Sequence, residues 1–279
     1  MEIKRIAAFS QGTAGGNPAG VVLLDAAAPA EDMARVAAEV GYSETVFAVA
    51  QDAAKSRWRA RYFSPESEVP FCGHATIALG AVLGETVGAG TYQLALNEAE
   101  ISVEATPSPD GMMATLSSPP TRSRSLKDAE LREVMALFGL TSEDLDPRLA
   151  PAHIHAGADH AVLPLKDRAR LAAMDYDLNE GRAVMRAHGL VKVMLVHIEG
   201  DQSFVVRNAF ASGGVLEDPA TGAAAAAFAG YLRDSGWPHG GQFTIRQGED
   251  MGSPSEIHVA LEETKGASVR VSGRARTIA

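Results

Sequence analysis

Two short segments of the sequence combine a proline, a glycine and small residues in the order typical of a strand that turns into a helix. The first reads Glu68-Val-Pro-Phe-Cys-Gly-His-Ala75, and the second reads Glu217-Asp-Pro-Ala-Thr-Gly-Ala-Ala224. Both fit the pattern Glu-x-Pro-x-x-Gly-x-Ala, about half a chain length apart. Proline near a helix start costs no hydrogen bond, and glycine permits a tight turn and the close approach of a ligand. The repeat predicts an internal duplication with one such turn in each half.

The chemistry that these turns offer is anion binding. The first backbone N–H groups of a helix have no partner within the helix, and the helix dipole favours negative charge there. Helices that begin near Gly73 and Gly222 can therefore hold a substrate carboxylate without a lysine. The alternative is that each glycine serves only its own tight turn, but the pairing of two copies favours a binding site. If the halves are related by pseudo-symmetry, we expect both helix starts to face one cleft.

Strand and helix patterns alternate around the two copies. Each copy follows a strand-like segment and precedes a run of helix-forming or small residues, Ala75–Leu83 and Ala223–Leu232. Further helices are predicted at 31–40, 128–138 and 179–188. Further strands are predicted at 3–9, 19–24, 45–50, 160–165, 191–198, 242–247, 257–261 and 268–272.

Two prolines in Ser117-Ser-Pro-Pro-Thr121 mark the predicted domain boundary. It gives an N-terminal lobe of residues 1–118 and a C-terminal lobe of residues 119–279. The last predicted strands could return to complete the first lobe.

Composition excludes several classes of partner. The 279 residues carry a net charge of −10, whereas nucleic acids and anionic membrane surfaces demand clustered Lys and Arg. We expect neither partner, although a local pocket can still attract a small anion. The single cysteine, Cys72, rules out an intrachain disulfide. A cytoplasmic location is expected, since no secretory signal or membrane-spanning run is seen.

Five motifs in order resemble the PhzF-like family, which is named for an isomerase of phenazine biosynthesis. They span residues 16–252. The resemblance implies the diaminopimelate-epimerase fold, of class α+β, with two pseudo-symmetric lobes that are each a barrel-like, mostly antiparallel sheet around a central helix. It also implies an active site between the lobes, no cofactor and a homodimer. The motifs are Gly16-Asn-Pro-Ala-Gly20, Gly41-Tyr-Ser-Glu-Thr45, Pro70-Phe-Cys-Gly-His-Ala-Thr76, Glu217-Asp-Pro-Ala-Thr-Gly222 and Gln247-Gly-Glu-Asp-Met-Gly252.

The resemblance assigns roles to individual residues. Glu44 matches the acid/base carboxylate of the family, a group that can both take and return a proton. His74 and Asp218 match the catalytic residues at the two helix starts. Without the resemblance, Glu44 would be taken for a surface glutamate, His74 for a packing histidine and Asp218 for a first-turn acid. The expected substrate-binding groups are Ser43, Gly73, Thr221 and Gly222.

Other active-site patterns are not found in the sequence. A racemase with two opposed thiols needs two cysteines, and this chain has one, so that class of enzyme is excluded. There is no His-Glu-x-x-His motif, and His153-Ile-His155 is interpreted as a solvated strand pair. No phosphate-binding or dinucleotide-binding glycine loop occurs. We therefore expect neither a metal nor a cofactor to be required.

Three functions stay open at this point. The first is a cofactor-independent isomerase that transfers protons on a small, cyclic carboxylic acid. The second is a dehydratase or tautomerase acting on a small hydroxy acid with the same carboxylate. The third is a non-catalytic protein that binds small carboxylates. An enzyme requires Glu44 beside the substrate, whereas a binding protein does not.

Overall fold

The computed structural model describes residues 1–97, 99–109 and 111–279. The chain divides into two compact units, one formed by residues 1–117 with 272–279 and the other by residues 118–271. Each unit combines a sheet with a few helices, so the fold is of mixed α and β type. Among the described residues, no helix combines the length and apolar character needed to cross a membrane.

Among the described residues of the first unit, eight strands form a closed barrel. Strand β1 pairs with both β2 and β17, and β17 also pairs with β8, which closes the ring. The β2–β3 and β4–β6 pairs are parallel, and the β3–β4, β6–β7 and β7–β8 pairs are antiparallel. A two-residue strand, β5, pairs with the end of β4. The strands are β1 (Lys4–Ala8), β2 (Asn17–Leu24), β3 (Thr45–Ala50), β4 (Arg57–Phe63), β5 (Glu68–Val69), β6 (Gly90–Ala95), β7 (Glu100–Ser108), β8 (Gly111–Ser117) and β17 (Arg270–Thr277).

Helix α2 (Gly73–Thr86) is the central helix of this barrel. Every residue from Gly73 to Gly84 is buried, so the helix is apolar on all sides. Gly80 allows close packing against the strands, because a Cβ atom there would lie 2.5 Å from a methyl of Val103. Helix α1 (Ala30–Val40) lies outside and packs its apolar face on Phe47 and its neighbours.

The second unit repeats this order of pairings. Strands β10 and β11 are antiparallel, β11 and β12 are parallel, and β12 and β13 are antiparallel. Strand β13 then pairs with the short β14 and runs parallel to β15, which pairs with β16. Strand β9 pairs with β10. The strands are β9 (Arg122–Ser125), β10 (Ala152–His155), β11 (Asp159–Leu165), β12 (Lys192–Gly200), β13 (Ser203–Ala209), β14 (Glu217–Asp218), β15 (Gln242–Gln247) and β16 (Ser255–Ala260).

Helix α6 (Gly222–Asp234) is the counterpart of α2, since each follows the short strand that contains the repeat. It is buried almost throughout. The helices α3 (Asp128–Leu137), α4 (Arg168–Ala172) and α5 (Leu178–Ala187) contribute to a separate apolar cluster. In that cluster, Val134, Phe138 and Met185 pack with Leu163 and Leu195 of the sheet.

Candidate active site

Strands β2 and β3 hold the backbone of Glu44 in place. Thr45 begins β3 and is the parallel partner of Gly20 on β2. The backbone N–H of Gly20 donates to the carbonyl oxygen of Glu44 at 3.3 Å. Gly20 is required there, because a Cβ atom on it would lie 2.7 Å from the buried hydroxyl of Thr45. The close contact of these two strands therefore sets where the Glu44 side chain begins.

The start of α2 holds His74 and Cys72. Cys72 is the N-cap residue, with an extended backbone, and its carbonyl oxygen accepts hydrogen bonds from the Thr76 N–H at 3.0 Å and from the Thr76 hydroxyl at 2.7 Å. A hydrogen bond of 2.7 Å joins the Thr76 and Tyr62 hydroxyls, which ties this first turn to β4. His74 is only 5% exposed. The imidazole thus lies in a fixed, nearly dry environment.

The described geometry brings three side chains together around His74. The Nε2 atom of His74 lies 3.4 Å from Oε2 of Glu44 and 3.5 Å from the hydroxyl of Ser43. The Sγ atom of Cys72 lies 3.3 Å from Nδ1 of the same ring. The Glu44 side chain is 13% exposed, so it retains limited access to solvent or a ligand. A carboxylate and an imidazole at this separation can pass a proton between themselves and a bound molecule.

A second polar cluster surrounds Asp218 in the second unit. Asp218 is 3% exposed, and its Oδ2 accepts a hydrogen bond of 2.5 Å from the hydroxyl of Thr221, the N-cap residue of α6. The Lys192 ammonium forms an ion pair with the same oxygen and lies 3.2 Å from the Thr221 hydroxyl. Gln247 donates to the Asp218 carbonyl at 2.6 Å and accepts from the Thr221 N–H at 3.2 Å. A charged pair is thereby held at the beginning of a buried helix.

Lys192 is the residue of this cluster that sequence reasoning missed. It begins β12, is 6% exposed and lies with its ammonium 4.1 Å from the centre of the Phe210 ring. The sequence signal for this residue is a single lysine in the otherwise apolar segment Leu190–Leu195. A lysine is rarely buried without a partner, so its position in a buried strand indicates a paired charge. Gln247 opens one of the five motifs, but no role had been given to it.

His160 lies beside Lys192, its parallel partner in the sheet. Within the part of the chain that the structure describes, neither ring nitrogen of His160 has a hydrogen-bond partner. Burial, with a further contribution from the Lys192 charge, lowers the pKa of His160 to about 3. The ring is therefore neutral at physiological pH.

The glutamate that opens each copy of the repeat forms an ion pair with an arginine on the preceding strand. Arg61 binds Glu68 through two hydrogen bonds of 2.8 and 2.6 Å. Arg207 binds Glu217 in the same way, at 3.0 and 2.5 Å. A planar guanidinium that makes two bonds to one carboxylate fixes the orientation of both side chains. The same kind of ion pair therefore joins β4 to β5 before α2 and β13 to β14 before α6.

The structure places the predicted site residues in two groups, one in each unit. Glu44, Ser43 and His74 lie together in the first unit, where Gly73 is the first residue of α2. Asp218 and Thr221 lie together in the second unit, where Gly222 is the first residue of α6.

Comparisons with known proteins identify the family. Residues 6–279 match the family described as phenazine biosynthesis-like protein. An uncharacterized isomerase of Deinococcus radiodurans is 32% identical over 281 residues, which cover 96% of this chain and 90% of the relative. The trans-2,3-dihydro-3-hydroxyanthranilate isomerase of Pseudomonas aeruginosa is 30% identical over 278 residues, covering 96% of this chain and 91% of that protein.

A solved structure shows the same fold. The phenazine biosynthesis protein of the PhzF family from Bacillus anthracis superimposes with a TM-score of 0.86 at 20% identity, covering 100% of this chain and 98% of the other. The chain belongs to the phenazine biosynthesis-like family of PhzF proteins, and it is an enzyme of the isomerase type. The predicted resemblance is confirmed.

Proposed function

We propose that the chain isomerises a small, cyclic carboxylic acid by acid/base proton transfer, with Glu44 as the group that takes and returns the proton. The observation that carries this proposal is the position of the Glu44 carboxylate, 3.4 Å from the His74 ring and largely shielded from water. Such a carboxylate can remove a proton from one carbon and deliver it to another without a cofactor. His74 orients the substrate or relays the proton.

The substrate carboxylate would be held by helix N-termini. Helices α2 and α6 begin at Gly73 and Gly222, whose lack of a side chain permits close approach of a ligand to the first N–H groups. The hydroxyls of Ser43 and Thr221 add donors beside them. An anion can therefore be bound by a protein whose overall charge is negative.

We further propose that Asp218 acts on the same substrate as Glu44 and His74, by accepting a hydrogen bond from a substrate amine or hydroxyl. The Asp218 carboxylate forms an ion pair with the adjacent Lys192 ammonium. In that form the side chain only accepts hydrogen bonds, which favours a substrate with a polar hydrogen. The trans-2,3-dihydro-3-hydroxyanthranilate acted on by the Pseudomonas aeruginosa relative has this chemistry and is the first compound to test.

The internal repeat supports a further proposal, that the two units are duplicated lobes. They share the same order of strand pairings, the same short strand before the central helix and the same arginine–glutamate pair. In the second copy, Thr221 takes the N-cap position that Cys72 has in the first. Duplication followed by divergence would give one lobe the Glu44–His74 pair and the other the Lys192–Asp218 pair.

Exchange of solvent deuterium into the substrate tests the proposed proton transfer. We expect the wild-type protein to incorporate deuterium, and Glu44→Gln to lower turnover by about 10²–10⁴-fold, the usual scale of acid/base catalysis. Ligand affinity should change little, because the amide keeps the shape of the carboxylate. His74→Ala and Asp218→Ala should weaken binding as well as turnover.

Glu39→Gln is the matched control, since Glu39 lies on the exposed face of α1 and its variant should behave as wild type. A product that has lost water would indicate a dehydratase. Saturable binding without any exchange would indicate a carboxylate-binding protein and would contradict the proposal. Near-normal turnover of Glu44→Gln would show that another group moves the proton.

A further inference from the structure

The side chains of Glu44, Cys72 and His74 combine three different ligand types in one buried cluster. One oxygen, one sulfur and one nitrogen atom lie within 4.8 Å of one another. A carboxylate, a thiolate and an imidazole form a donor set that zinc accepts, whereas magnesium and calcium select oxygen. The chemistry of proton transfer uses the carboxylate and the imidazole but gives no reason for a thiol at the same point.

The nitrogen–oxygen separation within the cluster is close to that of a tetrahedral zinc site. Zinc binds nitrogen and oxygen at about 2.0–2.1 Å and sulfur at about 2.3 Å, so tetrahedral angles separate N and O by about 3.3 Å and S and N by about 3.6 Å. The His74 Nε2 atom lies 3.4 Å from Glu44 Oε2, and the Cys72 Sγ atom lies 3.9 Å from the same nitrogen. Because Sγ lies nearer to Nδ1, at 3.3 Å, the Cys72 side chain would have to rotate toward Nε2 to complete the geometry.

The surroundings fix the backbone from which two of the three ligands extend. The Cys72 backbone is fixed by its two hydrogen bonds from Thr76, and the Glu44 backbone by Gly20. Cys72 is 8% exposed, so the cluster is shielded but not sealed. Three protein ligands would leave the fourth position of the metal for water.

We propose that Glu44, Cys72 and His74 form an inhibitory site for Zn²⁺. On binding, the Cys72 thiol loses its proton to solvent and the thiolate, the neutral imidazole and the carboxylate bind the metal, with no change of oxidation state. The occupied Glu44 and His74 can no longer exchange a proton with a substrate. The inhibitory part of this proposal rests on the proposed function, whereas the metal site itself does not.

Metal titration of the full chain, after removal of metals with a chelator, tests the site directly. Calorimetry with Zn²⁺ should show one saturable site per chain, and Mg²⁺ should give none. Binding should weaken as pH falls, because protons compete for the ligands. With Co²⁺ as the probe, a near-ultraviolet thiolate-to-cobalt absorption band should appear.

Cys72→Ser should abolish the cobalt band and weaken Zn²⁺ binding by at least about 100-fold. Loss of a group that only hydrogen-bonds to a ligand already costs up to about 100-fold in metal affinity, and loss of a ligand should cost at least as much. Serine is a favoured N-cap residue, so α2 should keep its start. The control His155→Ala removes one member of the separate His153/His155 pair and should leave both readouts unchanged. Zinc bound equally well by Cys72→Ser, or no cobalt band in wild type, would overturn the proposal.

Activity provides the second readout. Chelator treatment should leave turnover unchanged, and Zn²⁺ should then inhibit it in proportion to occupancy of the site. If no substrate supports exchange while metal binding follows the pattern above, the proposed function fails and the metal site stands. If exchange occurs and Zn²⁺ at saturation has no effect on it, the inhibitory role is wrong.

Discussion

Lys192 carries a positive charge into the interior of the second unit, where two neighbours offset the loss of water around it. Asp218 supplies the opposite charge, and the Phe210 ring faces the ammonium. Removing one member of a buried pair is far more costly than replacing both, because the remaining charge keeps its desolvation cost. The pair therefore has consequences for the stability of the second unit.

Lys192→Met should lower the free energy of unfolding by about 3–5 kcal/mol, the usual cost of breaking a buried pair from one side. Methionine keeps the length and the apolar packing of the stem, so the loss reports on the charge. Urea denaturation followed by circular dichroism measures the difference.

The double variant Lys192→Met/Asp218→Asn should recover much of that loss, since no unpaired charge is left in the cluster. Lys265→Met serves as the control at an exposed position of the same unit and should cost little. A single variant as stable as wild type would show that the ion pair is not needed for the fold.

Strands β2 and β3 act as one element in placing Glu44, because their contact at Gly20 and Thr45 leaves no space for a side chain. Thr45 is branched at Cβ and fully buried, so it has few ways to move aside. Crowding at this point therefore affects the backbone from which Glu44 extends.

Gly20→Ala should destabilise the protein by about 1–3 kcal/mol, the typical cost of overpacking, and should also lower turnover by shifting Glu44. Gly200→Ala is a matched control, since nothing lies within 4 Å of a Cβ atom added there. Thermal unfolding and the exchange assay measure the two effects. Adding Thr45→Ala should restore both, and failure of that rescue would place the strain elsewhere.

Local patterns predicted many of the elements. The predicted strand 45–50 is observed with the same bounds, and the predicted helix 31–40 is observed as Ala30–Val40. Strands β6, β7 and β8 were not predicted, and closure of the barrel could not be, since it joins β1 to β17 from opposite ends of the chain. Pairing between distant strands depends on the whole fold rather than on the periodicity of either segment.

The two clusters of candidate site residues differed in how far the sequence could predict them. The Glu44–His74 contact involves residues that both lie in quoted motifs. In the Lys192–Asp218 contact, only Asp218 lies in a motif. Lys192 lies in an apolar strand and reaches Asp218 through a long side chain. The site roles themselves stay predictions until variants are measured.

At the scale of the whole molecule, His160 couples stability to pH. Its pKa is lowered to about 3 in the folded protein, against 6.5 for an ordinary histidine. Between pH 3 and pH 6.5, His160 is therefore protonated in the unfolded chain and neutral in the folded protein. The contribution of His160 is therefore neutral above about pH 6.5 and increasingly destabilising as pH falls toward 3.

His160→Leu should remove this penalty and also the two unpartnered ring nitrogens. Relative to wild type, the variant should gain about 1–2 kcal/mol more at pH 5 than at pH 7, since a fully coupled group contributes about 1.4 kcal/mol per pH unit. Denaturant titrations at the two pH values give the comparison. Equal gains for His160→Leu at both pH values would contradict the coupling.

The return of β17 to the first barrel imposes an order on synthesis of the protein. A ribosome delivers residues 118–271 before the segment that pairs with β1 and β8. The first barrel therefore has two unpaired strand edges while the inserted unit is being synthesised. During this period such edges can pair with other chains. A premature stop codon after residue 271 would remove only a few residues, yet it would leave the seam of that barrel open along its length.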